Sequence, residues 1–147
     1  MVLIIVFGVS VFAIRLITRK YDLPLAARIA MSGMLLFTAT GHFIFTKGMA
    51  MMIPGFIPFK TEMVYLTGVI EIGAAIGLQI PRLSVLTAWL LIVFFVLLLP
   101  SNITAAVRHI DIEKGTYDGS GLHYLWFRIP LQILFIVWTY LCSIRFR

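Results

Sequence analysis

Leu66-Thr67-Gly68-Val69-Ile70-Glu71-Ile72-Gly73-Ala74-Ala75-Ile76-Gly77 decides the architecture of this chain. It forms the middle of an apolar run over 61–80. As an α-helix such a run rises about 30 Å, the thickness of a bilayer's hydrocarbon core. One ionisable side chain, Glu71, stands among Gly68, Gly73, Ala74, Ala75 and Gly77. Gly73 and Gly77 make a GxxxG spacing, and small residues let helix backbones approach closely in a membrane. A carboxylate on such a helix is costly against lipid and is expected to face the interior of a bundle, with this helix near its centre.

The composition agrees. Of 147 residues, 61% are hydrophobic and 12% charged, with a mean hydropathy of +1.05. Soluble domains run near 45–50% apolar and about 25% charged. A soluble globule, a disordered tail and a disulfide scaffold are therefore excluded. Cys142 is the one cysteine, which leaves no internal disulfide and no CxxC pair. With only His42, His109 and His123 beside it, neither a metal site nor an intrinsic redox cofactor is expected.

Four further apolar runs, at 2–17, 23–46, 83–107 and 123–144, join 61–80 in an expected all-α, polytopic membrane bundle, one domain over 1–147. Run 2–17 rises only about 24 Å. Its cations, Arg15, Arg19 and Lys20, follow the apolar stretch, the reverse of a cleaved signal peptide. It is expected as a retained first span with its amino end outside. Alternating crossings then put Arg15, Arg19, Lys20, Arg28, Arg82, Arg145 and Arg147 on the cytoplasmic side, seven of the twelve cations, together with the carboxyl end. The net charge of +6 is thus a topology signal, and no nucleic-acid partner is expected.

Two outer connections stand out. Residues 47–60 are too apolar for water, and Pro54, Gly55 and Pro58 break a helix. This apolar outer loop is expected to lie along the interface as a lid carrying Met52, Pro54 and Pro58. Residues 107–121 are polar and contain three glycines, which reads as a solvent loop. Pro100 leaves a carbonyl one turn earlier without its amide donor and is expected to kink the fourth span.

Five polar residues do not belong in hydrocarbon: His42, Glu71, Asn102, Arg128 and Gln132. All fall between mid-membrane and the outer surface, and Gln132 follows Arg128 by one helical turn. They are the candidate ligand-binding or polar-network residues. Each also has a purely structural reading: Glu71 paired with Arg128 to stitch the bundle, His42 a satisfied core histidine, Asn102 a cap on the kink. Arg128 would then be an interface anchor beside Tyr124 and Trp126, and Gln132 an interhelical hydrogen bond.

With these residues in place, the chain resembles the DoxX family of small membrane proteins. The matching stretches are Gly41-His42-Phe43, Ile53-Pro54 with Pro58, Leu66 to Glu71 with Gly77-Leu78, Pro100-Ser101-Asn102-Ile103, and Arg128-Ile129-Pro130-Leu131-Gln132. The resemblance covers about 28–140 and implies a four-helix DoxX-like unit, to which the first span is an addition. It also implies a link to membrane oxidoreductases in some relatives and to assembly of membrane proteins in others. The expected function is a bacterial inner-membrane subunit of an oxidoreductase system, binding a quinone or lipid-like molecule in an outward-facing polar site. Expected partners are membrane lipids and a redox-enzyme or membrane-protein partner, with oligomer formation open. The alternatives are a non-catalytic assembly or structural factor and, third, a proton-coupled transporter.

Overall fold

The computed structural model describes residues 2–146. Helices dominate: α1 (Val2–Thr18), α2 (Leu23–Ile44), α3 (Thr46–Met52), α4 (Lys60–Gly77), α5 (Ser84–Leu97), α6 (Leu99–Val107) and α7 (Leu122–Tyr140), ending in a π-helical turn at Leu141–Arg145. Among the described residues the only extended pairing is an isolated antiparallel bridge, Asp111 to Thr116.

Three helical segments are long and apolar enough to cross a membrane: Leu23–Ile44, Ser84–Val107 and Leu122–Arg145. α4 has 18 residues but carries Lys60, Glu62 and Glu71. Within α5, Ser84, Ala88, Leu91 and Phe95 are buried at helical spacing, while Leu86, Leu90, Val93 and Leu97 are exposed. A helix apolar on both faces suits a bundle surrounded by lipid.

The main core cluster is built from stripes of α2, α4, α5 and α7. It joins Ala30, Met31 and Leu35 of α2 to Ala75 and Leu78, to Ala88, Leu91 and Phe95 of α5, and to Phe135 of α7. α2 rather than α4 holds the centre, since it touches α1, α4, α7 and the π-helical turn. Its contact with α4 is close because Gly68 lies under His42 and Phe43. Further along, Ser32 Oγ donates to the Ala75 carbonyl at 2.8 Å and accepts from Gln79 Nε2 at 2.7 Å. The small residues that work are thus Gly68 against α2 and Gly77 against Thr87 of α5; nothing lies within 4 Å of a side chain at Gly73.

Two local expectations change. Residues 47–60 are not wholly a loop, because Thr46–Met52 contains no proline and forms α3; only from Pro54 does the chain turn. The polar segment after α6 is not a free solvent loop. Its Ile110 is buried with Met52 and Ala105, and Gly48 of α3 is pressed onto the Ile112 carbonyl. The fourth span bends as Pro100 requires, with α5 and α6 meeting at Leu98.

Candidate functional site

The buried stripe of α4 runs Val64, Gly68, Glu71, Ala75, so helical periodicity alone turns Glu71 inward. It is 4% exposed. Glu71 Oε2 accepts a hydrogen bond from Thr38 Oγ1 at 2.9 Å, and Oε1 lies 3.4 Å from His42 Nε2. On its other side the imidazole Nδ1 is 3.1 Å from Thr67 Oγ1. Thr67 lies 2.7 Å from the carbonyl of Val64.

Thr67 Oγ1 carries one hydrogen and lies within hydrogen-bond distance of both the Val64 carbonyl and His42 Nδ1, so whether it donates to the ring or accepts from it depends on the tautomer of His42. His42 is thereby held between Thr67 on one side and Glu71 on the other.

A second chain of hydrogen bonds comes from α5, α6 and α7. Arg128 Nε donates to Tyr124 Oη at 2.8 Å, one turn back on α7, and its guanidinium lies over the Tyr124 ring. Tyr124 Oη donates to Asn102 Oδ1 at 3.3 Å, and Asn102 Nδ2 donates to Gln132 Oε1 at 3.1 Å. Gln132 Nε2 donates to the Phe95 carbonyl. That carbonyl lies near the end of α5 and also accepts from the Leu98 amide at 3.3 Å; the carbonyl four residues before Pro100 is that of Val96. Gln132 thus ties α7 to the end of α5.

Both chains line one cavity of about 480 Å³, within the range of small-molecule sites. His42, Glu71, Asn102, Arg128 and Gln132 all border it. Of the expected lid, Met52 lines the cavity together with Met49 and Ile53. Pro54 and Pro58 do not, because they lie past α3 and serve the turn into α4. Glu71 and Arg128 form no ion pair; Glu71 is held by Thr38 and His42, Arg128 by Tyr124. Thr38, Thr67 and Tyr124 were not singled out as site residues by sequence. The one available signal was spacing: Thr38 stands one turn before His42, Thr67 one turn before Glu71, and Tyr124 one turn before Arg128.

Outside the helices, Thr116 Oγ1 donates to Asp118 and holds that carboxyl below the usual carboxylate range. A separate surface groove gathers Lys47, Lys60 and Arg108. His109 and His123 do not meet the loop acids in a cluster suited to a metal ion among the described residues.

A family model described as a domain of unknown function, DUF8561, matches residues 31–143, a stretch that contains every residue bordering the cavity. No curated protein and no solved structure matches the chain. The chain belongs to the DUF8561 family.

Proposed function

We propose that this protein is a DoxX-like membrane protein whose cavity binds a quinone or other lipid-like amphiphile as part of an oxidoreductase system. In this reading α2, α4, the bent α5–α6 pair and α7 are the four-helix unit, and α1 is an additional span. The amino end is outside, the carboxyl end is cytoplasmic, and the cavity faces outward in a bacterial inner membrane. Supporting this orientation, Arg15, Arg19, Lys20, Arg28, Arg82 and Arg145 all flank the end of the bundle away from the cavity.

One observation carries the reading: an imidazole–carboxyl pair, His42 and Glu71 at 3.4 Å, and a guanidinium, Arg128, border the same cavity within an apolar bundle. Ionisable groups inside such a bundle are functional candidates by default. Arg128 offers donors to a head group, and the pair can give or take one proton beside it. Asn102 and Gln132 serve differently. Their amides are engaged with each other, with Tyr124 and with Phe95, so they position Arg128 and shape the wall. Any electron transfer belongs to a partner or to the bound molecule, because the chain's one thiol, Cys142, lies at the opposite end.

The test is lipid and quinone extraction from the purified protein, followed by mass spectrometry. A stoichiometric amphiphile retained by wild type and lost in a folded Glu71→Gln protein is the expected result. Equal retention by the variant overturns the proton-handling role. A second reading, an assembly or structural factor, is favoured by the way both hydrogen-bonded chains tie helices together. It predicts an empty wild-type cavity and a Glu71→Ala protein that loses stability only.

A further inference from the structure

We infer that the occupant of the cavity is an anionic amphiphile, with its ionised head on Arg128 and its apolar tail leaving sideways past the exposed stripe of α2. This deepens the preceding proposal and rests on its reading that the cavity holds a membrane-dissolved molecule. Between the carbonyl of a neutral quinone and an ionised oxygen head, a guanidinium without a carboxylate partner on the cavity wall favours the second.

His42 and Glu71 face each other at 3.4 Å, and Thr67 holds the far side of the ring. Arg128 stands outside this pair. Its Nε is engaged by Tyr124, but its two Nη groups have no acceptor among the described residues. No carboxylate lies within ion-pairing distance of it there either; Glu71 is turned to Thr38 and His42. Glu113 also borders the cavity, but from the exposed loop at its mouth. A guanidinium held at the wall of an apolar bundle without a counter-ion is costly, and its fork of donors matches an oxyanion. The groove that gathers Lys47, Lys60 and Arg108 lies at the same end of the molecule and adds to the attraction for an anion.

The tail follows from where the cavity opens. One stripe of α2 carries Gly33, whose face lies under Val6 of α1. The same stripe continues through Phe37, Thr40 and Ile44, which border the cavity and yet are exposed, Phe37 at 57% and Ile44 at 70%. At the far end, α2 and α7 are closed by Trp138 Nε1 donating to the Ala27 carbonyl at 3.0 Å, with Phe7 of α1 edge-on to Trp138. The exposed border of the cavity is therefore this stripe of α2. Ile44 ends α2 and Phe37 lies about 10 Å below it. This puts the opening along an apolar helix rather than at the loops.

The test uses the full chain in phosphatidylcholine nanodiscs, read by native mass spectrometry with tail-matched probes: palmitate, hexadecyl phosphate, hexadecanol and, without a long tail, butyrate. Wild type is expected to retain palmitate or hexadecyl phosphate at least about tenfold over hexadecanol, a factor worth about 1.4 kcal/mol. Which of the two is retained tells a carboxylate head from a phosphate head, and either supports the inference. Butyrate in large excess should not displace them. Arg128→Gln should lower retention of the anion to the level of hexadecanol while leaving hexadecanol unchanged, and Arg128→Lys should restore part of it. Thr40→Trp, at the exposed rim, should slow loading of the long-chain anion in a folded protein. Equal retention of hexadecanol and the anions overturns the anionic head but leaves the cavity reading standing. Displacement by butyrate overturns the sideways tail. Retention of no probe overturns both this inference and the proposal on which it rests.

Discussion

Gly68 sets how near His42 comes to Glu71. A Cβ at this position would stand 3.1 Å from His42 Cβ and 3.2 Å from the Phe43 ring, tighter than most packed carbons, so the neighbours would have to give way. Gly68→Val should therefore push α2 and α4 apart and destabilise the protein by roughly 1–3 kcal/mol. Thermal unfolding in detergent reads the effect, and an unchanged transition would show that the helices do not meet here. Thr67 works by chemistry rather than size. Thr67→Val keeps the shape but removes the hydrogen-bond partner of His42 Nδ1, at a cost of about 1 kcal/mol. The imidazole nitrogen resonances of His42 should move in this variant; identical spectra would show that Thr67 does not bond the ring. Glu71 itself was legible from sequence, as the ionisable residue inside an apolar helix. Thr67 was not, because a threonine on a membrane helix usually bonds its own backbone, and this one does that as well.

At the scale of elements, one bend and one clasp hold the cavity open. Pro100 separates α5 from α6, and Gln132 of α7 reaches the Phe95 carbonyl at the break while also accepting from Asn102. Gln132→Leu leaves that carbonyl and the Asn102 amide with fewer partners and should cost roughly 1–3 kcal/mol, seen as a lower unfolding temperature. A neutral outcome would mean that α7 is not anchored through this contact. The break was legible, since Pro100 has no amide to give the carbonyl one turn earlier. Its partner was not, because sequence places Gln132 on a face without saying which carbonyl faces it. The clasp is α3 against 108–121. Gly48→Ala would drive a methyl into the Ile112 carbonyl, so the loop must lift. Faster amide hydrogen exchange over 108–121 is expected, and unchanged exchange would argue against the contact. Sequence read these two segments as an apolar loop and a polar loop. Each becomes ordered by packing on the other, through Met52 and Ile110.

For the whole molecule, the proposed orientation can be read by labelling. In a Cys142→Ala background, a cysteine replacing Ser120 should react with a membrane-impermeant maleimide in intact cells. One replacing Arg82 should react only after permeabilisation. Both positions are exposed and lie at opposite ends of the bundle. The reverse pattern would invert the proposed topology. Cys142 is buried at 3% exposure, and its removal prevents background reaction after permeabilisation.

The amino-acid sequence by itself determined the helical, lipid-suited character of the chain, because composition and run length are properties of local stretches. It also determined which side chains are out of place in such a setting. Only the tertiary structure decided how they divide: Glu71 with His42, Thr38 and Thr67 on one wall, Arg128 with Tyr124, Asn102 and Gln132 on the other. Periodicity gives the face of each helix but not the rotation and spacing between helices. Those are set by packing, here by Gly68 beneath His42, Gly48 beneath Ile112 and the bend at Pro100. The separation of Glu71 from Arg128, which leaves the guanidinium without a carboxylate partner among the described residues, is therefore a consequence of the assembled bundle alone.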